Sequence, residues 1–199
     1  MGLPQTTQRL SLDDYLDLER QAEVRHEYFD GLVYAMAGES LEHSMLCFNL
    51  ATILGSQLRG TPYRGLSPNM KVLSGDYAPG QTRGLFSYPD VTVVCGEPKF
   101  HDERRDVLLN PTLIIEVLSP GTESFDRGEK FQRYRQHLGS LKDFVLVSSA
   151  YPLIELFQRQ PNGFWLYSAV AEMDASMVLP SIGCEVPLVQ LYDRQIAQG

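Results

Sequence analysis

Pro111-Thr-Leu-Ile-Ile-Glu-Val-Leu-Ser-Pro-Gly121 is an apolar run interrupted once, at Glu116, and closed by a turn. Leu113 to Leu118 has the length and β-branched content of a buried strand. A carboxylate inside such a strand costs free energy unless something pairs with it. Glu116 therefore calls for a buried ion pair or a metal ion. Upstream, Tyr88-Pro-Asp-Val-Thr-Val-Val-Cys95 repeats the pattern, with one acid, Asp90, near the start of an apolar strand. About 25 residues separate the two acids.

Downstream of Gly121 the spacing predicts a helix over 123–138, with Phe131, Tyr134 and Leu138 on its apolar face. Strands follow at Phe144–Ser148, Leu153–Phe157 and Phe164–Ser168, the last two joined by the Pro161-Asn162-Gly163 turn, and residues 188–195 read as a short tail helix. Upstream, Ser11-Leu-Asp-Asp14 is a capping-box-like helix start, with Asp in place of Glu or Gln. Arg25 to Met36 reads as a β-hairpin, because Asp30-Gly31 suits a two-residue type I′ turn. Ser40 caps a helix carrying the stripe Met45, Leu46, Leu50, Ile53, Leu54 and Leu58, which Gly60–Arg64 and Leu66–Asn69 end. Met70–Leu73 is a strand, 75–84 a Gly- and Pro-rich loop, and Lys99–Asp106 a charged, exposed segment whose Arg104 and Arg105 could meet phosphate. This order predicts one domain over residues 1–199, α/β or α+β, with a mixed sheet flanked by helices.

Bulk properties narrow the function. The 199 residues are 43% hydrophobic, enough for an ordinary core. No apolar run reaches the roughly 18 residues of a membrane span, and Met1–Thr7 lacks the basic-then-apolar order of a signal peptide. Cys47, Cys95 and Cys184 are odd in number and far apart, with no zinc-finger spacing. They read as buried thiols of a reducing cytoplasm. A net charge of −8 argues against strong nonspecific binding to nucleic acid, which rests on phosphate neutralisation, while leaving room for a local basic groove.

A period of two places Asp90, Thr92 and Val94 on one face of their strand and Ile114, Glu116 and Leu118 on one face of theirs. If the strands are neighbours, Asp90 and Glu116 converge. Hard oxygen ligands of that kind suit Mg²⁺ or Mn²⁺, and phosphodiester hydrolysis then needs a cation near the developing charge. Lys130, early in the helix after the Glu116 strand, is the candidate, although Asp126 at i−4 could hold it on the helix surface instead. Plainer readings stand beside these. Asp90 could cap a strand start, Glu116 could pair with Arg127 or Arg133, Glu27 could be an exposed edge residue, and His43 could be a structural hydrogen-bonding group.

Tyr88-Pro-Asp90, Ile115-Glu-Val-Leu-Ser-Pro-Gly121, Asp126-Arg-Gly-Glu-Lys130 and Tyr134, with Glu27-Tyr-Phe-Asp-Gly31 and His43 upstream, resemble the Uma-two family of restriction endonucleases, within the PD-(D/E)XK nuclease superfamily. The resemblance runs from about residue 10 to about residue 160. It implies a restriction-endonuclease-like α/β core and Mg²⁺- or Mn²⁺-dependent cleavage of DNA by a homodimer. Asp90 and Glu116 would bind the metal, the Val117 carbonyl would add a ligand, Glu27 would supply a third carboxylate, and His43 would be an accessory group. The sequence departs from the superfamily pattern at Leu118, where a lysine is expected. The resemblance implies that Lys130 has taken that role, with Lys71 as the second choice. Without a replacement, the chain would be a nuclease-fold binding or scaffold protein with weakened or lost catalysis.

Overall fold

The computed structural model describes residues 8–36 and 38–193. Met1–Thr7, read above for a signal peptide, and positions 194–195 of the expected tail helix lie outside the described residues. Within them that helix covers Leu188–Leu191 (α5).

The expected mixed sheet is present as two mixed sheets and a separate two-stranded ladder. The six-stranded sheet has the order β11-β10-β9-β8-β6-β3, made of Trp165–Val170, Ile154–Arg159, Asp143–Ser148, Leu113–Leu118, Val91–Cys95 and Tyr63–Leu66. β8 runs parallel to β9 and antiparallel to β6. The five-stranded sheet, order β2-β1-β5-β4-β7, uses Leu32–Ala35, His26–Phe29, Leu85–Ser87, Lys71–Ser74 and Val107–Leu108. The ladder pairs β12 (Ser176–Leu179) with β13 (Cys184–Pro187).

The alternation of β8 divides the core. Leu113, Ile115 and Val117 point to one side, where α2 (Leu41–Gln57), α5 and the β12–β13 ladder cover them with Leu46, Leu50, Leu54 and Leu188. Ile114 and Leu118 point to the other, where Phe131, Tyr134 and Leu138 pack with Phe144 and Leu146. Phe131 stacks on Phe144 at 4.7 Å between ring centroids and 7° between planes, and meets Trp165 edge-on at 5.3 Å. Aromatic pairs of this kind add about 0.5–1.5 kcal/mol beyond their area burial, and here they seat the helix after β8 on the sheet. A third cluster joins α1 (Leu12–Glu19) to the five-stranded sheet through Leu12, Tyr15, Tyr28 and Phe86.

Local signals explain the element starts. Ser11 Oγ accepts the Asp14 amide at 3.1 Å, and the Asp14 side chain reaches back to the Ser11 amide, so the capping box forms with Asp at its third position. Ser11→Ala should therefore cost about 1 kcal/mol, lowering the thermal midpoint by about 2–4 °C for a chain of this size. A calorimetric scan checks it. Asp30 and Gly31 both take positive φ, 46° and 95°, as a type I′ turn requires. Gly31 could not be replaced easily, because a Cβ there would lie 2.8 Å from the Arg9 side chain.

Three expectations are corrected. The helix read over 123–138 is a composite of α3 (Glu123–Phe125), a π-helical turn at Asp126–Lys130, and α4 (Phe131–His137). Cys184 is buried, but Cys47 is half-buried and Cys95, at the end of β6, is exposed. Residues 99–106 are exposed only in part: Lys99 and Glu103–Arg105 are at the surface, while Arg20 bonds Asp102 at 2.6 Å and Asp106 at 2.8 Å and ties the segment to α1.

Candidate functional site

The site forms where β6 and β8 run side by side and the elements of both layers meet their ends. Val91 faces Ile115 and Thr92 faces Ile114. One further antiparallel step sets Asp90 opposite Glu116 along the pair, and Asp90 is one of the charges that act on the Glu116 carboxyl. Asp90 Oδ2 accepts the Val117 amide at 2.8 Å, which pins its carboxylate to the end of β8. In an extended strand a residue's N–H and C=O point to the same side, so the Val117 carbonyl opens toward Asp90.

Glu116 is buried, 4% exposed, on the face of β8 that meets the helix of residues 123–137. Its Oε1 accepts a hydrogen bond from the Tyr134 hydroxyl at 3.0 Å, and that hydroxyl is 2.7 Å from Ser87 Oγ. The cation on Glu116 is Lys130. Arg127 instead pairs with Glu155 and Glu123, and Arg133 with Asp30. Lys130 Nζ lies 2.9 Å from Asp126, 3.2 Å from Glu27 and 3.3 Å from Glu116, and it is 5% exposed. Asp126 therefore holds Lys130 in the interior and not on the helix surface. The π turn brings this about, because both residues lie within it and both are buried.

Glu27 is not an edge residue, since β1 sits between β2 and β5. Besides Lys130 it accepts the Tyr88 amide at 3.3 Å. His43, in the first turn of α2 from the opposite layer, places Nε2 3.4 Å from Asp90. Lys71 is elsewhere. Its ammonium bonds Asp106 at 3.1 Å and lies over the Tyr88 ring at 5.4 Å, because β4 runs next to β7 and carries it to the far sheet. Leu118 is 3% exposed and part of the core.

The electrostatics follow from burying the Glu116 and Asp126 carboxylates with the Lys130 ammonium, with Glu27 and Asp90 half-buried beside them. Burial pushes the Glu116 carboxyl well above the usual range. Lys130 opposes the rise, while Asp126, Asp90 and Glu27 add to it. Burial alone would push Lys130 down, but Glu116, Glu27 and Asp126 outweigh it and hold the ammonium above its ordinary value. On the other side, desolvation lowers His43, and its hydrogen bonds to Asp90 and Cys47 overcome that and raise it to about 11. A cleft of about 510 Å³ between α2 and β3–β6, lined by Leu54, Leu58, Arg59, Leu66 and Pro68, ends on Asp90.

Sequence reasoning missed Asp126 as a buried member of the site. Its signal was the i, i+4 spacing to Lys130, which reads equally well as a surface pair. It also missed the buried support under Tyr88, where Glu19 accepts the Tyr88 hydroxyl at 2.6 Å and contacts His26 at 2.9 Å. No local pattern links residues so far apart.

The model of the Uma2 family, described as "putative restriction endonuclease", matches residues 12–188. The uncharacterized Synechocystis protein slr1290 is 34% identical over 186 residues, covering 92% of both chains. A second uncharacterized Synechocystis protein, sll1609, is 30% identical over 172 residues, 86% of this chain and 93% of its own. A crystal structure from Anabaena variabilis, described as "a putative nuclease belonging to DUF820", superposes with a TM-score of 0.73 at 18% identity. It covers 92% of this chain and 97% of that one. At that identity the likeness shows the fold, which is a nuclease-like mixed α/β fold.

Proposed function

The chain belongs to the Uma2 family, and on that premise we propose that it is a divalent-metal-dependent endonuclease hydrolysing phosphodiester bonds of DNA. The observation that carries the reading is the buried ammonium of Lys130 among Asp126, Glu27 and Glu116, beside Asp90. Three carboxylates, two of them buried, share the single Lys130 ammonium, so negative charge is left over where burial makes it expensive. The donors are all hard oxygens, the chemistry of Mg²⁺ or Mn²⁺, so the residues present fit such an ion. Asp90, Glu116 and the Val117 carbonyl would hold it, with Glu27 assisting. When bound, the ion would polarise a phosphoryl oxygen and lower the pKa of a bound water.

The protein's own part is to place and keep charge. Glu116, Glu27 and Asp126 hold the Lys130 ammonium above its ordinary value, which suits it to stabilise the negative charge that develops on the phosphate. Tyr134 fixes the Glu116 carboxylate through one oxygen. The Val117 amide fixes Asp90, and His43 supports that carboxylate from the other layer. A homodimeric assembly and a cytoplasmic location complete the proposal. Among the described residues no helix is long and apolar enough to cross a membrane.

The test is nicking of supercoiled DNA by the purified protein with Mg²⁺, with Mn²⁺ or with chelator, alongside an electrophoretic shift in Ca²⁺ at low salt. The expected result is cleavage with Mg²⁺ or Mn²⁺ and a shift without cleavage in Ca²⁺. A shift with no cleavage under any ion would replace the proposal with a DNA-binding scaffold. Neither shift nor cleavage would point to a substrate other than DNA.

A further inference from the structure

Next to Asp90, the first turns of α2 and the residue before its cap bring together a second set of ligating groups. His43 Nδ1 lies 2.9 Å from Glu39 Oε2 and 3.5 Å from Cys47 Sγ, and the three donor atoms all lie within 4.8 Å of one another. His43 and Cys47 are four residues apart on one face of α2, and Glu39, just before the Ser40 cap, reaches the same face through its bond to His43. Ser40 caps that helix by accepting the His43 amide at 3.2 Å.

We propose that Glu39, His43 and Cys47 form a binding site for a transition-metal ion of the Zn²⁺ class, distinct from the Asp90–Glu116 site and joined to it through His43. The donor set is mixed nitrogen, oxygen and sulfur, which suits Zn²⁺ and its neighbours and not the hard ions of the oxygen site. Zinc bonds of about 2.1 Å to nitrogen and about 2.3 Å to sulfur set tetrahedral neighbours about 3.6 Å apart, close to the observed spacing between Nδ1 and Sγ. Glu39 is about half exposed, its side chain at 52%, so it can adjust and leaves a path for the ion and for a water as fourth ligand.

The second ring nitrogen carries the argument further. Metal-ligating histidines typically donate their other N–H to a carboxylate, which fixes the tautomer and orients the ring. Here Nδ1 faces Glu39 and Cys47 while Nε2 faces Asp90 at 3.4 Å. A metal on Nδ1 takes the place of a proton there, as it does on the Cys47 thiol, and leaves Nε2–H directed at Asp90. Filling this site would hold His43 as a neutral donor to Asp90, and so couple transition-metal status to the proposed catalytic acid.

The full-length protein, stripped of metal, is titrated with Co²⁺ and followed by absorption, with circular dichroism confirming the fold of each variant. The expected result is a thiolate-to-cobalt charge-transfer band saturating at one ion per chain and abolished by Zn²⁺. Cys47→Ala should lose the band, Cys95→Ala should keep it, and Asp90→Asn should keep it with Co²⁺ bound about 10–100-fold more weakly. Glu116→Gln should also keep it, so the result stands whether or not the nuclease reading does. No band in the unaltered chain, or a band surviving Cys47→Ala, would overturn the site. A band lost in Glu116→Gln would overturn its independence, and unchanged affinity in Asp90→Asn would overturn the link.

Discussion

Lys130→Met is expected to destabilise the protein by about 3–5 kcal/mol and to reduce metal-dependent DNA cleavage by about 10²–10³-fold. Methionine fills a similar volume but leaves Glu27, Glu116 and Asp126 without their shared ammonium. Glu116 and Asp126 are both nearly inaccessible to water, at 4% and 3% exposed. Removing one partner of a buried charge pair is far more damaging than never having built it. Urea unfolding measures the first effect, and nicking kinetics on the folded variant the second. Mn²⁺ should raise the thermal midpoint of the variant more than that of the unaltered protein, because the ion replaces the missing positive charge. A Lys130→Met protein as stable and as active as its parent would remove the lysine from the site.

Glu116→Gln is expected to separate stability from activity. The amide keeps an oxygen for the Tyr134 hydroxyl and removes one of four crowded negative charges. Lys130 is not orphaned, since Asp126 at 2.9 Å and Glu27 at 3.2 Å remain. Burial already pushes this carboxyl toward its neutral form. Stability should therefore change by no more than about 1 kcal/mol or increase, as is common where a functional group is strained. Cleavage should still fall by at least about 10²-fold, because a neutral amide is a far poorer ligand for Mg²⁺ or Mn²⁺. Unchanged nicking by Glu116→Gln would sink the assignment. A loss of about 3 kcal/mol or more would make Glu116 a structural ion-pair partner.

The legible parts of the fold were those whose signals are local and long enough to repeat. The Ser11–Asp14 cap, the Asp30-Gly31 hairpin and the Leu46–Leu58 stripe each declare themselves within one element, and each formed. The two strand acids were legible because burying a carboxylate needs a reason. The unread parts were short or non-local. Tyr63–Leu66, overlapping the Gly60–Arg64 and Leu66–Asn69 stretches read only as stopping the preceding helix, pairs along β6, and Leu85–Ser87 and Val107–Leu108 are too short for alternation to show. The division into two sheets depends on which strands meet, which no single stretch encodes. The π turn was illegible because apolar spacing at Phe131, Tyr134 and Leu138 fits an ordinary helix equally well. Lys71, the second choice for the lysine role, lies in the other sheet for a non-local reason, since its partner Asp106 sits on a distant segment.

Placing the ammonium on a helix, and not two residues after Glu116, bears on how such proteins are recognised and how they diverge. Leu118 answers only to packing, so that position is free to drift among apolar residues without touching the chemistry. A search keyed to a glutamate followed two residues later by lysine would discard this chain. A criterion written in space, an ammonium within ion-pair distance of the strand acid whatever its sequence address, would keep it.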